Sequence, residues 1–356
     1  MTTQGAFPVD ATTGATPAVF DMDIGSDPDD TCVAVMVLGG LERFRPALLI
    51  TNDETETLGR ARFLARLVAA GAADVPVAAG LPSQRRRSTC LVEEAGLCPA
   101  TAHFEQDGVA ALIRVLEEHP SVTYFGLGAL TNLDAALSAR PDLTPRVRLV
   151  QMGPALFGAY RREQPQYNAR LDPGAFSRVL DRVRAPTLVF SHSTWGRYSE
   201  GMRQRLGIYP DDPLAGALRE GSALAALFVR HLEAWKQSGK PCSIMHDPLT
   251  ILSARIPDLV ELADVELVIG DDGWASLGAL THEALRALPP ARTGVIAACL
   301  SGPHRPIQGK SILARMSLEV DDEAVRRSIV EALLGGGAAA VATAWGEFNR
   351  ARTRER

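Results

Sequence analysis

Five carboxylates lie within ten residues near the start of the chain, directly after an apolar run. Like-charged carboxylates a few ångströms apart raise one another's pKa unless a cation, hydrogen-bond donors or solvent offset their charge. Oxygen ligands of this kind suit Ca²⁺ or Mg²⁺ rather than zinc. The segment therefore predicts a binding site for a hard divalent cation. The five carboxylates belong to Asp21, Asp23, Asp27, Asp29 and Asp30.

The residues around this aspartate segment predict where it lies in the fold. Residues 17–20 are typical of the end of a buried strand, Gly25 and Pro28 of a loop, and residues 31–41 of a helix. The carboxylates would then lie at the carboxyl end of a strand, with Asp29 or Asp30 capping the helix that follows.

Two simpler interpretations explain the segment less well. A solvated loop with a helix cap accounts for one or two of the aspartates and leaves the others without a reason. An EF-hand fails because a twelve-residue calcium loop that begins at Asp21 would end on Cys32 instead of a bidentate glutamate.

The composition indicates an ordinary soluble globular protein that acts on a small molecule. The 356 residues suffice for one large α/β domain or two smaller ones. Charged residues make up 22% of the chain and the net charge is −5, which gives no electrostatic case for nucleic acid or membrane binding. Five scattered cysteines without a Cys-x-x-Cys spacing predict neither a disulfide framework nor a zinc site, and fit a reducing cytoplasm.

The first residues differ in character from the rest. Residues 1–16 are small and polar, without the cationic start or the apolar core of a signal or transit peptide. We expect a disordered leader there, followed by one domain over residues 17–350. No window approaches the roughly eighteen consecutive apolar residues of a membrane span.

Apolar runs typical of buried strands alternate along the chain with segments of helical spacing. This alternation predicts a mainly parallel sheet covered by helices on both faces, with ligands at the carboxyl ends of the strands. Two irregular segments, 83–102 and 198–213, are expected to form loops at the rim of a site. The predicted strands are 47–51, 75–78, 122–127, 147–152, 187–191 and 265–269, and the predicted helices are 58–70, 108–119, 132–139 and 173–183.

Three further polar stretches end apolar runs. Each has a structural explanation as a helix cap, from Thr131 or Asn132, from Asp172 before a proline, and from Asp247 before a proline.

Taken together with the aspartate segment, the order of these stretches resembles the inosine-uridine nucleoside hydrolase family, whose members open with Asp-x-Asp-x-Gly-x-Asp-Asp after the first strand. The resemblance runs from about residue 19 to about residue 334. It implies a single α/β domain with a mostly parallel central sheet, hydrolysis of the N-glycosidic bond of a ribonucleoside, and a homodimer or homotetramer. The matching motifs are Thr51-Asn52, residues 128–132, Met152-Gly153, Asn168 with Asp172-Pro173, and His246-Asp247-Pro248.

The resemblance also implies roles for individual residues. A Ca²⁺ would be held by Asp23, Asp30, the backbone carbonyl of Leu127 and Asp247. Asp23 would act as the general base that takes a proton from water. His246 would be the general acid for the departing base, with a pKa near neutrality.

Ribose binding is implied for a second group of residues. Asn168 and one of Asp27 or Asp29 would bind ribose hydroxyls, with contacts that tighten as charge develops on the ring. Base contacts are expected from the variable segments 53–56 and 235–240 and from Trp195 or Tyr198. The substrate-binding set is completed by Asn52, Met152 and Gln166.

The chain departs from the common family pattern at three points. Asp23 and Asp30 are seven residues apart instead of five, Gln166 stands where a glutamate is usual, and Tyr160 stands near an expected asparagine. The nearby Arg161, Arg162 and Arg170 motivate the hypothesis that the substrate carries a modified or phosphorylated 5′ position. The alternative is that these arginines are simply solvated.

Two other functions compete with this one. In a Mg²⁺ phosphohydrolase of the haloacid dehalogenase type, Asp21 would be the nucleophile and Asp23 the acid/base, with Lys236 or Lys240 and the acidic turn Asp271-Asp272. That function leaves the later motifs unexplained. A calcium-dependent sugar-binding protein that has lost catalysis would explain Gln166, but not the intact set of metal-site aspartates.

Overall fold

The computed structural model describes residues 15–41, 43–85, 90–156, 164–195, 206–256, 258–279, 281, 285, 307–334, 341, 343 and 345–347. Eleven strands and twelve α-helices are described within these ranges. The strands are β1 (Thr16–Met22), β2 (Phe44–Thr51), β3 (Val77–Ala78), β4 (Val122–Gly126), β5 (Val147–Met152), β6 (Thr187–Val189), β7 (Gly207–Ile208), β8 (Ser243–Ile244), β9 (Val260–Gly270), β10 (Ala275–Leu277) and β11 (Gly309–Val320).

The helices cover both faces of a central sheet. A 3₁₀ helix, Pro141–Arg146, precedes β5. The α-helices are α1 (Asp29–Leu38), α2 (Gly59–Ala70), α3 (Leu91–Glu94), α4 (Gly108–Glu118), α5 (Thr131–Ala139), α6 (Tyr167–Leu171), α7 (Pro173–Arg182), α8 (Ser191–Trp195), α9 (Pro213–Arg219), α10 (Ala223–Gln237), α11 (His246–Arg255) and α12 (Asp322–Leu334).

Nine of the strands form one sheet, in the order β10-β9-β11-β6-β5-β4-β1-β2-β3. Within this order, every pair of neighbours from β11 to β3 is parallel. Strand β9 runs antiparallel to both of its neighbours, β11 and β10. The predicted α/β class with a mostly parallel central sheet is therefore confirmed. Strand β11 and the helices α10 and α12 were not predicted from the sequence, and neither was the antiparallel direction of the strands at this end of the sheet.

Strand β1 shows why residues 17–20 form an uninterrupted apolar run. Alternate residues of a strand face opposite sides of the sheet, and both sides are covered here. Ala18, Phe20 and Met22 pack among residues of α1, α2, α10 and α11, whereas Val19 packs among residues of α4, α5 and α7. The ring of Phe20 stacks on that of Phe125 in β4, with centroids 5.0 Å apart.

The strand order reverses between β1 and β4. The chain leaves β1 for α1 on one face of the sheet and leaves β4 for α5 on the other. The loops that follow the two strands therefore part, which opens a crevice at the carboxyl ends of the strands, where ligands bind in open α/β sheets. The fold places the aspartate segment at this crevice.

Of the predicted helix caps, the one at Asp172 is confirmed and the others are wrong. Asp172 is confirmed as the N-cap of α7, because its Oδ1 accepts a hydrogen bond of 3.1 Å from the Ala175 amide. Capping of α1 by Asp29 or Asp30 is wrong, since Pro28 is the N-cap and both aspartates lie in the first turn. Capping by Thr131, Asn132 and Asp247 is also wrong: Leu130 and Met245 are the N-caps of α5 and α11. The side chains of Thr131 and Asn132 bind Asp172 and Asp21 instead.

Several expectations concern residues at or beyond the limits of the described structure. Strand β1 already begins at Thr16, within the expected leader, and residues 1–14 lie outside the described residues. Tyr160, Arg161, Arg162 and Tyr198 also lie outside them. Across the helices that the structure does describe, none is long and apolar enough to cross a membrane.

Candidate metal and substrate site

Four buried carboxylates gather at the crevice. Single oxygens of Asp29, Asp30 and Asp247 all lie within 4.8 Å of one another. Asp23 is in hydrogen-bond contact with Asp30, and Asp29 with Asp247. Asp23 is the most exposed of the four at 9%. The structure thus brings the predicted residues of the aspartate segment together with Asp247, which α11 supplies from more than two hundred residues away.

The electrostatics of this aspartate cluster call for a counter-charge. Burial first, and then the neighbouring carboxylates, hold the pKa values of Asp29, Asp30 and Asp247 well above the usual range. Asp29 and Asp247 can hydrogen-bond to each other only if they share a proton. Among the described residues, Oδ1 of Asp30 and Oδ1 of Asp247 are buried without a hydrogen-bond partner. A set of hard oxygens with excess negative charge and two unpartnered atoms fits a divalent cation such as Ca²⁺ or Mg²⁺.

The loop that carries these carboxylates is held close to α3. Gly25 has a φ of +104°, a region that favours glycine, and a Cβ there would lie 2.9 Å from both Cys90 Sγ and Val92 Cγ2. The Gly25 carbonyl accepts a hydrogen bond of 3.1 Å from the Val92 amide. A side chain at this position would push the loop away from α3.

Two residues that sequence reasoning missed also bind the loop. Arg60, fully buried in α2, donates to the carbonyls of Asp23 and Ile24 and pairs with the Asp53 carboxylate at 3.2 Å. A positive charge in the first turn of a helix is unfavourable because it opposes the helix dipole. The position of Arg60 in the first turn was therefore the available signal that this arginine has a specific partner.

The second missed residue is His231 of α10. Its Nε2 lies 3.2 Å from the Ser26 carbonyl and its Nδ1 lies 2.8 Å from Thr31 Oγ1. Because a carbonyl can only accept, Nε2 carries the hydrogen and Nδ1 accepts from the threonine hydroxyl. Burial lowers the pKa of His231 to about 3, so the ring is neutral at pH 7. Its only sequence signal was its place directly after the apolar run 223–229 and Arg230.

Asp27 lies at the margin of the aspartate cluster, close enough for its charge to raise the pKa of Asp29. The Ser243 hydroxyl of β8 donates to Asp27 Oδ1, and the Asp27 side chain is partly exposed. Of the two aspartates proposed for ribose binding, the structure therefore places Asp29 inside the cluster and Asp27 at its margin.

Asp21 forms a separate network beneath the cluster. It is fully buried, and its Oδ1 accepts hydrogen bonds from Asn52 Nδ2 at 2.8 Å and Asn132 Nδ2 at 3.0 Å, while the Tyr124 hydroxyl donates to Oδ2. Burial raises the pKa of Asp21 to about 7, against the opposing effect of these three donors. The network joins β1, β4 and α5 to the residue that follows β2.

This network contradicts the phosphohydrolase interpretation. A nucleophile must reach its substrate, but Asp21 has no exposed surface and its carboxylate accepts hydrogen bonds from Asn52, Asn132 and Tyr124. Asp271 and Asp272 follow β9, which runs antiparallel to β11. Oδ1 of Asp271 accepts a hydrogen bond of 3.3 Å from the Ser177 hydroxyl of α7, and Oδ1 of Asp272 accepts one of 3.2 Å from the Trp274 amide, so both have local structural contacts.

The residues proposed for substrate binding form hydrogen bonds at the ends of β4 and β5. Asn168 Nδ2 donates to the carbonyls of Leu127 at 2.7 Å and Met152 at 3.2 Å. Gln166 is the N-cap of α6, and its Oε1 accepts from the Asn168 amide at 2.9 Å. Asn52 is fully buried, with its Oδ1 accepting from the Ala129 amide at 3.3 Å. In the described contacts, Gln166 and Asn52 thus act on the site through the backbone amides that they bind, those of Asn168 and Ala129.

Two of the segments expected to contact the base have other roles in the described contacts. The Asp53 carboxylate binds Arg60, and the buried Glu54 carboxylate accepts from the amides of Arg60 and Ala61 at the start of α2. In the segment 235–240, Trp235 Nε1 donates to the Cys242 carbonyl at 2.8 Å.

His246 lies beside the cluster, at the start of α11. Its Nδ1 is 2.5 Å from Thr194 Oγ1, and the same hydroxyl donates to the Ser191 carbonyl at 2.9 Å. Since a hydroxyl has one hydrogen, Thr194 accepts from a proton on Nδ1 of His246. Burial lowers the pKa of His246 to about 3. Burial therefore acts against the pKa near neutrality that the resemblance implies, and the extent of burial could not be read from the sequence.

Comparison with known proteins identifies what this arrangement resembles. Residues 18–327 match the family model described as inosine-uridine preferring nucleoside hydrolase. A plant nucleoside hydrolase shares the fold with a TM-score of 0.66 and 18% identity, over 90% of this chain and 99% of the other. No curated protein sequence matches the chain.

Two bacterial structures are similar in the same way. A purine-preferring ribonucleoside hydrolase from Gardnerella vaginalis has a TM-score of 0.64 at 15% identity, over 91% of this chain and 99% of its own. An inosine-uridine preferring nucleoside hydrolase from Bacillus anthracis has a TM-score of 0.61 at 15% identity, over 89% of this chain and 99% of its own. At such identities the solved structures establish the fold.

The buried His231 makes a prediction for the pH dependence of stability. Its pKa is lower in the folded state than in the unfolded chain, so acid protonates the unfolded chain first and the wild type loses stability as pH falls below about 6.5. His231→Gln removes that loss. In excess chelator at pH 7, we expect His231→Gln to have a lower free energy of unfolding than wild type. At pH 5 this difference should be smaller by about 2 kcal/mol.

Urea unfolding at both pH values measures this difference. His103→Gln, at an exposed position, is the control and should change stability by less than about 0.5 kcal/mol at either pH. A deficit for His231→Gln that is equal at pH 7 and pH 5 would contradict the assignment of a buried neutral ring.

Proposed function

Because the chain belongs to the inosine-uridine preferring nucleoside hydrolase family and is an N-glycosidase, we propose that it hydrolyses ribonucleosides with the aid of a Ca²⁺ held by the aspartate cluster. The observation that carries this proposal is the grouping of Asp29, Asp30 and Asp247 within 4.8 Å, with two buried oxygens that have no partner among the described residues. The products would be the free base and ribose.

The proposed ligands include the two carboxylates with unpartnered oxygens, Asp30 and Asp247. Asp23 and the Leu127 carbonyl complete the set implied by the family resemblance. That carbonyl already accepts from Asn168, and its second lone pair leaves room for a second partner. When bound, Ca²⁺ would supply a fixed positive charge that orients ribose hydroxyls and makes a neighbouring water more acidic.

Asp23 is the proposed general base. It is the most exposed carboxylate of the cluster, which supports a position from which it takes a proton from the attacking water. Asn168 and Asp29 are the proposed partners of the ribose hydroxyls, and Asp27 is a second candidate at the margin. Met152, Gln166 and Asn52 would complete the substrate pocket, the last two through the residues that they hold.

His246 is the proposed proton donor to the departing base. Because Nδ1–H is directed at Thr194, the ring must take up a second proton from solvent on Nε2, and this is the proton that it donates. The base accumulates negative charge as the glycosidic bond breaks, and a nearby negative charge favours the protonated imidazole. Thr194 supports this role because it fixes the ring through Nδ1.

The chemistry at the 5′ end of the substrate is an open part of the proposal. Arg170 donates to Gln164 and lies 5.5 Å from the centroid of the Tyr167 ring, which favours a role in local packing over phosphate binding. Arg161 and Arg162 lie outside the described residues. A plain ribonucleoside is therefore the first substrate to test, with 5′-monophosphates beside it.

Assembly and location are further proposals. The resemblance implies a homodimer or homotetramer. Four of the cysteines form no disulfide in the described structure, which supports a reducing cytoplasm.

Release of free ribose from a panel of nucleosides and their 5′-monophosphates tests the proposed function. We expect release to depend on Ca²⁺ and to stop in excess chelator. Asp23→Asn should lower kcat by about 10²- to 10⁴-fold, because the proton acceptor for the attacking water is lost. Asp107→Asn is the matched control: Asp107 caps α4 away from the cluster and asparagine caps equally well, so activity should be unchanged.

Two outcomes would count against this proposal. Full activity in excess chelator would show that the reaction needs no metal. Full activity of Asp23→Asn would show that Asp23 is not the general base. A clear preference for monophosphates would instead assign the 5′ position to a phosphate.

The role of His246 can be tested through the leaving group. His246→Asn should lower kcat/KM for inosine by about 10²-fold, because the departing base then receives no proton from the imidazole. The same variant should hydrolyse p-nitrophenyl riboside at nearly the wild-type rate, because nitrophenolate leaves without protonation. Equal losses on the two substrates would contradict a role in protonating the base.

A further inference from the structure

Arg60 divides its hydrogen bonds between the loop that carries the aspartate cluster and Asp53. A guanidinium has five N–H donors. One amino group donates to the carbonyls of Asp23 and Ile24, the latter at 2.7 Å. The other reaches Ser26 Oγ at 3.4 Å and Asp53 Oδ2 at 3.2 Å, and Nε donates to the Asp53 carbonyl at 2.8 Å. The side chain has no exposed surface.

The backbone of this loop is bound from outside along its length. The carbonyls of residues 23 and 24 are held by Arg60, that of Gly25 by the Val92 amide, and that of Ser26 by the His231 ring. Arg60 thus holds the two adjacent carbonyls at the point where the chain leaves β1. One of them belongs to Asp23, and the turn begins the path to Asp29 and Asp30.

Arg60 also places one positive charge beside the cluster. Its charge favours the ionised form of Asp30, but burial and the Asp23 carboxylate act against it and prevail. One guanidinium therefore offsets part of the negative charge and leaves enough to attract a divalent cation. Asp53 on the far side keeps the guanidinium paired, which a buried charge requires.

We propose that Arg60 is a positioning residue for the cation site, whose three hydrogen bonds to the loop fix it in the conformation that receives Ca²⁺ before the ion binds. This inference rests on the proposed Ca²⁺ site. A lysine cannot replace Arg60, because its three donors share one nitrogen and cannot span from the carbonyls of residues 23 and 24 to Asp53.

The test is a calorimetric titration of Ca²⁺ into metal-free protein, together with thermal unfolding in chelator, for Arg60→Lys and Asp53→Asn. Asp53 has a φ of +50°, a conformation that asparagine tolerates, so the second variant removes the paired charge with little change to the backbone. Leu64→Ala is the matched control, because Leu64 is fully buried in the same helix and makes no part of the loop's hydrogen bonding.

We expect Arg60→Lys to weaken Ca²⁺ binding by about tenfold or more, as is typical when a residue that orients metal ligands is changed. Asp53→Asn should weaken it in the same direction. Leu64→Ala should lower the unfolding temperature and leave the Ca²⁺ dissociation constant within about twofold of wild type, because a general loss of stability does not move the loop.

Three results would overturn the inference. If wild type binds Ca²⁺ and the dissociation constants of Arg60→Lys and Asp53→Asn are within about twofold of the wild-type value, Arg60 has no positioning role, although the proposed function stands. If Leu64→Ala weakens binding as much as Arg60→Lys does, the effect is one of general stability. If wild type binds no Ca²⁺, the proposed metal site fails and this inference fails with it.

Discussion

The mutual repulsion of buried carboxylates is the constraint on which the rest of this structure depends. Asp29, Asp30 and Asp247 lie within contact distance of one another, Asp23 lies beside them, and all four are at least nine-tenths buried. Carboxylates so placed cannot all be ionised without a cation or shared protons. The surrounding protein must therefore hold together a group of charges that repel one another, and such an arrangement is expected where function requires it.

The topology explains how the chain achieves this. The reversal of strand order between β1 and β4 opens the crevice, and α11 packs against α1 to bring Asp247 to the aspartate segment. The loop is then held by Arg60 from α2, Val92 from α3 and His231 from α10. Because each of these comes from a different helix on one face of the sheet, the shape of the site depends on the packing of that whole layer. An ion bound there would in turn stabilise the layer.

Local patterns predicted a large part of this arrangement. The apolar runs of β1, β4 and β5 and the helical spacing between them are local properties, so the parallel sheet could be predicted, and the density of aspartates identified the site. Arg60 and His231 were missed because their importance lies in contacts with distant segments. Capping by Asp29 and Asp30 was wrong because a local preference competed with the cluster, and the effect of burial on the pKa of His246 could not be foreseen because burial is a property of the folded chain.

The proposal that rests most on this geometry is that the aspartate cluster binds Ca²⁺. Crystals grown with Ca²⁺ and measured at long wavelength would locate the ion through its anomalous scattering. If the proposal holds, the map shows one strong peak, about 2.3–2.6 Å from oxygens of Asp23, Asp30 and Asp247. The absence of a peak in the cluster at saturating Ca²⁺, or a peak only at exposed carboxylates elsewhere, would contradict it.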